Sequence, residues 1–256
     1  YDVRSYLRDH NGIDPNNVIM SPDQARGKGL SSTVTFPSGN IAPEGSVIKS
    51  TAIDPSVVDA DGVYRKVGPA RVFRSERDAV RAIKSRDENE RVKDGDVMVL
   101  TCGGPMGTGM EEVYQITAAL KHLSYGKRVS SVTDARFSRV STGACIGHVG
   151  PEALAGGPIG KIKEGDLVEI VVDRNALTGT VNLVGENGTV HGLDWGDEEL
   201  LLRTPPDDLL PHPSLPDDSR LWAALQNASG GTWGGCVFDV DTIIETLEAG
   251  KIALRK

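Results

Sequence analysis

The stretch from Val132 to Pro151 has the sequence VTDARFSRVSTGACIGHVGP and predicts a strand, a polar loop and the start of a helix. Its first residues end the predicted strand, and the segment that follows is too rich in glycine and serine for a regular element. Proline favours the first position of a helix, so a helix is expected to begin at Gly150 and Pro151. Scaffolds commonly present sites on such connections, although an ordinary strand–loop–helix connection has the same pattern. The loop contains three hydroxyl side chains: Ser138, Ser141 and Thr142.

The composition favours a globular, β-rich fold with many tight turns. Of the 256 residues, 38% are hydrophobic, which is enough for a core, and the 30 glycines suit turns that other residues cannot make. The formal net charge is −8 and the basic residues are not clustered, so nucleic acid and anionic membranes are not expected as partners. No apolar run approaches the roughly 20 residues that a membrane-spanning helix needs.

The cysteines indicate a reducing compartment. Cys102, Cys145 and Cys236 are far apart and form no C-x-x-C pair, so neither a disulfide framework nor a metal cluster held by this chain alone is expected. We therefore expect a cytoplasmic protein. The first residue is Tyr1 and no secretory signal follows it, which favours a fragment or a trimmed chain.

The chain divides into three predicted regions. Residues 1–38 contain turn signals and little hydrophobic periodicity, and we interpret them as a surface linker that arrives from an N-terminal domain. Residues 39–203 contain the predicted strands and the serine loop. Residues 204–256 begin with five prolines and end in predicted helices, so we expect an extended strap and helices that pack on the preceding domain. Two Lys-x-Gly-Asp turns, at 93–96 and 163–166, each precede a β-branched run and predict two equivalent strands.

Residues 101–110 have the sequence TCGGPMGTGM, whose four glycines exclude a regular helix or strand. The periodicity that follows predicts a helix from about Glu111 to Leu123. Free backbone N–H groups at such a helix start suit an anion, although the loop has neither the dinucleotide-binding nor the P-loop pattern. Glu111 and Glu112 have two interpretations. They compensate the helix dipole, or one of them is an oxygen ligand of Mg²⁺ that needs further ligands from elsewhere.

The serines have no obvious catalytic partner in the sequence. No G-x-S-x-G motif is present, so a nucleophile elbow is not indicated. His148 lies between a glycine and a valine, where a hydrogen-bonded structural histidine is commoner than a base for a serine. Asp134 and Arg136 flank the serine loop. They either fix it through charge-assisted hydrogen bonds or, through Arg136, bind an acidic substrate.

Several motifs occur together in a fixed order between residues 39 and 159. They are GNIAPEG (39–45), GPARVF (68–73), GP (104–105) with GMEE (109–112), TDARFS (133–138), GACIGHVGPEA (143–153) and GGPI (156–159). In this order they resemble the C-terminal domain of the dihydroxy-acid and sugar-acid dehydratase family. The tail motifs LPDDSRLW (215–222) and SGGTW (229–233) are similar to the branch that dehydrates D-xylonate and related aldonates.

The resemblance implies an α/β, β-rich fold: a swivelling β-barrel domain with flanking helices, like the C-terminal domain of aconitases. It also implies a hydro-lyase that removes water from a 2,3-dihydroxy carboxylate, here a D-xylonate-like sugar acid, to give a 2-keto-3-deoxy acid. In the family an iron–sulfur cluster acts as Lewis acid on the leaving 3-hydroxyl, and Mg²⁺ binds the carboxylate and the 2-hydroxyl. The N-terminal domain of the same polypeptide holds the cluster cysteines and most Mg²⁺ ligands, so this chain alone is expected to be inactive. A homodimer or homotetramer is expected.

The same resemblance implies roles for residues of this chain. Ser138 corresponds to the serine that, as an alkoxide, takes the proton from C2. An aliphatic hydroxyl is a poor base, so adjacent cations must lower its pKa. Glu112 corresponds to the Mg²⁺ ligand that this domain contributes, with Glu111 as the alternative. Ser141 and Thr142 stand near the substrate-binding hydroxyl position of the family.

Arg139 departs from the family, which commonly has glycine after the catalytic serine. Its side chain would narrow the pocket, bind the substrate carboxylate or weaken activity. Two other functions therefore stay open. One is a non-catalytic module that binds acid sugars, and the other is a branched-chain dihydroxy-acid dehydratase, against which the Trp-containing tail argues.

Overall fold

The computed structural model describes residues 2–18, 20–28, 33–137 and 143–255. The chain forms two compact units, Tyr1–Thr33 and Val34–Lys256. The first unit contains helices α1 (Val3–Asn11) and α2 (Pro22–Gly27), with a 3₁₀ turn at Pro15–Asn17. Side-chain caps explain where both helices begin. Asp2 accepts the backbone N–H of Arg4, and Ser21 accepts that of Gln24.

The second unit is built on a mixed sheet. Its strands are β1 (Gly45–Ile48), β2 (Val63–Phe73), β3 (Val97–Leu100), β4 (Ser130–Thr133), β5 (Cys145–Gly150), β6 (Leu167–Asp173), β7 (Thr178–Glu186) and β8 (Thr189–Val190). In the described residues they form one eight-stranded sheet in the order β1-β5-β4-β3-β2-β6-β7-β8. Strands β2 to β5 are parallel to one another, and the other neighbouring pairs are antiparallel.

The segment before β1 connects two distant parts of the sheet. Thr35 exchanges two backbone hydrogen bonds of 2.9 Å with Ile48 of β1. A few residues later, Ser38 accepts the N–H of Val181 in β7 at 3.1 Å, and Ile41 donates to the carbonyl of Val181 at 3.4 Å. Because one short segment bonds to both β1 and β7, the sheet is curled into a half-barrel. The predicted β-rich α/β fold with flanking helices is confirmed.

Alternate side chains of β3 enter two different apolar clusters, as the period of two in a strand requires. Val97 and Val99 pack within the curled sheet, together with apolar side chains of β4, β5, β6 and β7. Met98 and Leu100 pack on the outer face, against helices α3 (Glu76–Lys84) and α5 (Tyr114–Leu120). Each fully buried aliphatic side chain contributes roughly 1.5–3 kcal/mol, so β3 is held from both faces.

The two Lys-x-Gly-Asp turns have the same local structure. Asp96 accepts the N–H of Lys93 at 2.7 Å, and Asp166 accepts the N–H of Lys163 at 2.7 Å. The first turn leads into β3 and the second into β6, and these strands pair with β2 on its two sides. Both strands lie in one sheet, as expected, and the two turns are alike, but the strands are not equivalent, because β3 pairs with β2 in parallel and β6 pairs with it in antiparallel orientation. Asp166 also pairs with the buried guanidinium of Arg203, at an Oδ1–Nη2 distance of 3.0 Å.

The remaining helices are α4 (Pro105–Thr108), α6 (Leu193–Leu202), α7 (Asp217–Ala228) and α8 (Val240–Ala253). Helix α6 packs against β7, and α7 lies beside α4. Within the described ranges, none of the helices has the length and apolar character needed to cross a membrane. The division of residues 34–256 into a barrel domain and a tail stays a prediction.

Two predicted helix starts are wrong. Helix α5 begins at Tyr114 and ends at Leu120, whereas a start near Glu111 was expected. Residues 111–113 are not helical, because Arg136 donates its N–H to the carbonyl of Glu111 and accepts the N–H of Val113. The helix expected at Pro151 is also absent from the described residues after β5. The strand continues to Gly150, whose carbonyl accepts from Glu44, and only a 3₁₀ turn at Ala153–Ala155 follows.

Candidate active site at the carboxyl edge of the parallel strands

Four parallel strands end at one edge of the sheet. Strands β2, β3, β4 and β5 are parallel, so the residues that follow them lie at the same edge, which we call the carboxyl edge. Ligands of open α/β sheets bind in the crevice outside such an edge. The residues found there belong to four segments: Arg74, 101–104, 134–137 and 150–153.

Asp134 joins three of these segments. Its side chain is 1% exposed and accepts backbone N–H groups from Cys102 at 3.2 Å, Gly103 at 2.9 Å and Ala153 at 3.0 Å. Burial raises the pKa of the Asp134 carboxyl, and the three N–H donors act in the opposite direction. The partners of Asp134 are backbone groups of residues 102, 103 and 153, and the prediction that Asp134 fixes the serine loop stays a prediction, because residues 138–142 lie outside the described residues. Its side chain is fully used in holding the edge together.

Glu152 is a second buried carboxyl at the same edge. It is 6% exposed, and its two oxygens accept the N–H of Met106 at 3.0 and 3.1 Å. Burial raises the pKa of Glu152 to about 7, and the nearby Asp134 acts in the same direction. Gly104 packs directly against this carboxyl, because a Cβ atom there would lie 2.2 Å from Glu152 Oε2. In the sequence, Glu152 stands out only as part of the 143–153 motif, without a predicted role. The one feature that could have indicated its burial is that its neighbours are mostly apolar.

The glycine-rich loop, residues 101–113, is held by its own hydrogen bonds. The carbonyl of Gly104 accepts the N–H groups of Gly107, Thr108 and Met110 at 3.0–3.2 Å. Thr108 Oγ1 donates to the carbonyl of Gly103 at 2.9 Å and accepts the N–H of Glu111 at 3.0 Å. These N–H groups and that of Met106 are therefore occupied. The predicted anion cradle is not supported, since the donors that it requires already have partners within the chain.

The two glutamates at the end of this loop lie beside the residues that follow β4. Arg136 donates its Nε–H to the carbonyl of Met110 at 2.9 Å, and its backbone pairs with Glu112 in a parallel bridge. Glu111 is exposed and Glu112 is half-buried. Both are close enough to Glu76 to raise its pKa, in addition to the larger effect of burial. Carboxylate oxygens at this position suit a hard cation.

The described residues do not complete a metal site. Among them, no group of three or more His, Cys, Asp or Glu side chains could hold a metal ion. Glu112 fits Mg²⁺ as a single carboxylate ligand of a site that needs others. Cys102 and Cys145 are buried and Cys236 is half-buried, and they do not form a cluster-binding set within the described ranges.

Four of the predicted site residues, Ser138, Arg139, Ser141 and Thr142, lie outside the described residues. Their predicted roles therefore stay predictions. In the sequence they follow directly after residues 134–137, which lie at the carboxyl edge. His148, expected in a loop, lies in β5. Its N–H donates to the carbonyl of Ala135 at 2.7 Å, and burial lowers the pKa of its imidazole.

Trp233, from the loop after α7, covers the end of β5. Its Nε1–H donates to the carbonyl of His148 at 2.9 Å. The indole packs against Gly150, where a Cβ atom would be 2.2 Å from Trp233 Cδ1, and meets Phe36 edge-on at 6.2 Å between ring centroids. Asn227, Gly230 and Thr232 of the same region line a cavity of about 130 Å³, together with Glu44 and Glu152. Residues of the tail therefore reach the carboxyl edge.

Replacing Trp233 by phenylalanine is expected to lower the free energy of unfolding by at least about 1 kcal/mol, because the bond to the His148 carbonyl is lost together with part of the indole packing against Gly45. Urea unfolding of this chain measures the change. Trp222 is the matched control, since it is 58% exposed on α7 and its change to phenylalanine is expected to stay within about 0.5 kcal/mol. Equal effects of the two changes would contradict the role of the hydrogen bond.

Comparison with known protein families gives a match over more than half of the chain. Residues 18–187 match the model of the C-terminal region of dihydroxy-acid/6-phosphogluconate dehydratases. The chain belongs to this dehydratase family. The resemblance predicted from the ordered motifs is confirmed.

Relatives of this dehydratase-family chain fall into two groups. It is 59% identical to the D-xylonate dehydratase YagF of Escherichia coli over 251 residues, which are 98% of the chain and 38% of that protein. It is 57% identical to the D-xylonate dehydratase YjhG of the same organism, over 94% of the chain and 36% of that protein. A dihydroxy-acid dehydratase of Halothermothrix orenii is 47% identical over 54% of the chain and 24% of its own length. The chain thus spans little more than a third of the xylonate dehydratases that it matches.

Proposed function

We propose that this chain is the C-terminal part of a hydro-lyase that dehydrates a D-xylonate-like aldonate to a 2-keto-3-deoxy acid. The observation that carries the proposal is the match to two D-xylonate dehydratases over 94–98% of the chain. The family model matches residues 18–187, whereas the two D-xylonate dehydratases also match most of the tail beyond residue 187. The match to the dihydroxy-acid dehydratase of Halothermothrix orenii covers 54% of the chain.

Ser138 is the proposed base. It removes the proton from C2 of the substrate while the hydroxide leaves C3, and the resulting enol becomes the 2-keto acid. Glu112, or Glu111 in its place, is the proposed Mg²⁺ ligand of this chain, and an iron–sulfur cluster is held by an N-terminal domain of the same polypeptide. When bound, these metal groups supply the positive charge that lowers the pKa of a hydroxyl and polarises the leaving group. Residues 134–137, which precede Ser138 in the chain, are fixed by the bonds of Asp134 and Arg136.

The polar residues after Ser138 are the proposed substrate-binding groups. The hydroxyls of Ser141 and Thr142 bind substrate oxygens, and the guanidinium of Arg139 pairs with the substrate carboxylate, as a bidentate donor suits. The full-length protein is proposed to act in the cytoplasm as a homodimer or homotetramer. Because the cluster ligands lie outside this chain, the isolated 256 residues are expected to be inactive.

The full-length protein is expected to dehydrate D-xylonate with a kcat/KM at least about tenfold above that for 2,3-dihydroxy-isovalerate, since a site that hydrogen-bonds substrate hydroxyls rejects an analogue that lacks them. Formation of 2-keto-3-deoxy acid after anaerobic iron–sulfur reconstitution with Mg²⁺ measures this, with arabinonate and gluconate for comparison. The isolated chain serves as the control without activity.

A preference for the dihydroxy-isovalerate would overturn the aldonate assignment in favour of the branched-chain pathway. Inactivity on every substrate would favour a non-catalytic module that binds acid sugars, and it would make Arg139 the residue to replace by glycine.

A further inference from the structure

The buried carboxyl of Glu152 accepts a hydrogen bond from the glycine-rich loop, in which Glu112 also lies. The role that this contact has for Glu112 rests on the proposed function. Glu152 accepts the N–H of Met106 at 3.0 and 3.1 Å and also has a backbone hydrogen bond with Gly107, the next residue of the loop. Met106 is the second residue of α4 and follows Gly104, whose missing side chain lets the carboxyl approach. Two buried carboxyls therefore hold the start of the glycine-rich loop: Asp134 accepts from Cys102 and Gly103, and Glu152 accepts at the start of α4.

Hydrogen bonds transmit this position to the glutamates. The carbonyl of Gly104 accepts from Met110 at 3.2 Å, and Thr108 Oγ1 accepts from Glu111 at 3.0 Å. On the far side, Arg136 holds the carbonyl of Met110 at 2.9 Å. The loop is thus fixed at its start by Asp134 and Glu152 and at its end by Arg136.

The surroundings of Glu152 are acidic. Asp134 faces it from the end of β4, and Glu44 faces it across the cavity from the segment before β1. In the described part of the chain, these two carboxyl groups are the ionisable side chains found against it, and neither can neutralise a buried charge. A buried carboxyl beside other acids and without a cation is costly for stability alone. The cost of burying this carboxyl therefore points to a role at this edge.

We propose that Glu152 is a positioning residue for the metal ligand: by accepting the N–H of Met106, it helps to hold residues 104–112 so that Glu112 is presented to Mg²⁺. Outer partners of metal ligands commonly affect metal affinity by 10- to 100-fold when they are replaced. Glu152 touches neither substrate nor metal in this proposal, and it acts through Met106 and the glycine-rich loop.

Mn²⁺ binding to the full-length protein tests the proposal, with free Mn²⁺ measured by its electron paramagnetic resonance signal. Glu152→Leu removes the acceptor and is expected to raise the dissociation constant of Mn²⁺ by about tenfold or more. Glu152→Gln keeps a carbonyl oxygen for the Met106 N–H and is expected to stay within about threefold of the wild-type value. Glu44→Gln changes a carboxyl of the same cavity outside the hydrogen-bond path and is the matched control, expected to have no effect.

Activity gives a second measurement. The Mg²⁺ concentration for half-maximal activity is expected to rise in Glu152→Leu in parallel with Mn²⁺ binding, whereas the KM for the aldonate stays unchanged. If Glu152→Leu does not fold, Glu152→Asp replaces it, because its shorter side chain withdraws from Met106 and is expected to weaken Mn²⁺ binding by about fivefold.

Two results would overturn the inference, and they are distinguishable. Mn²⁺ binding that Glu112→Gln weakens but Glu152→Leu or Glu152→Asp does not would overturn the role of Glu152 alone. Mn²⁺ binding that Glu112→Gln does not weaken would overturn the metal assignment of the proposed function and, with it, this inference.

Discussion

Replacing Ser138 by alanine in the full-length protein is expected to lower kcat for aldonate dehydration by about 10³-fold, a typical contribution of a positioned general base. Alanine removes one oxygen and no methylene, so the pocket keeps its shape and the KM is expected to change by less than about threefold. A loss in kcat and in kcat/KM of the same size is the signature of an interaction made only in the transition state. Steady-state kinetics on D-xylonate at saturating Mg²⁺ measure both constants.

Ser141→Ala is the matched control for this loss, because it removes the same atom three residues along the same loop. We expect it to act on substrate binding, with a several-fold higher KM and a kcat that stays within about one order of magnitude of the wild type. If Ser138→Ala keeps more than a tenth of the wild-type kcat, Ser138 is not the base. If Ser141→Ala shows the larger loss in kcat, the roles of the two serines have to be exchanged.

Local patterns in the sequence predicted much of the fold. The two Lys-x-Gly-Asp turns could be found because glycine and aspartate act within four residues, and the structure contains both aspartate-to-lysine bonds at 2.7 Å. Strand β3 was identifiable from an apolar run, since a parallel strand is buried on both faces. These features depend on neighbouring residues, which is why they are visible in the sequence.

Long-range pairing explains where sequence analysis failed. Residues 111–113 have helical periodicity, but their backbone groups pair with Arg136, 23 or more positions away, and the helix starts only at Tyr114. The same limit applies to Glu152. Its partner Met106 is 46 positions distant, so nothing near it in sequence indicates a buried carboxyl at a loop start. The ordered motifs nevertheless identified the family, because they include residues that are far apart in sequence and contact one another in the fold.

The unfolding free energy of this chain is expected to fall by about 3 kcal/mol between pH 4.5 and pH 7 through Glu152 alone. The pKa of Glu152 is about 7 in the folded chain, and its ordinary value is 4.5. The folded state therefore binds the proton more tightly than the unfolded state does. This contribution is fully present below pH 4.5 and is lost as the pH rises through 7.

Glu152→Gln isolates this effect, since glutamine stays neutral and still offers an oxygen to the N–H of Met106. We expect the variant to lie within about 1 kcal/mol of the wild type at pH 5 and to be more stable by roughly 2–3 kcal/mol at pH 8, as measured by urea unfolding at a series of pH values. Burial also raises the pKa of the Asp134 carboxyl, and because Asp134 is coupled to Glu152, the comparison reports the titration of Glu152 together with this coupling. Glu44→Gln, at an exposed carboxyl of the same cavity, is expected to leave the pH dependence unchanged.

A difference between Glu152→Gln and wild type that is the same at pH 5 and pH 8 would mean that Glu152 does not titrate in this range. The buried charge would then be accommodated by the loop that it holds.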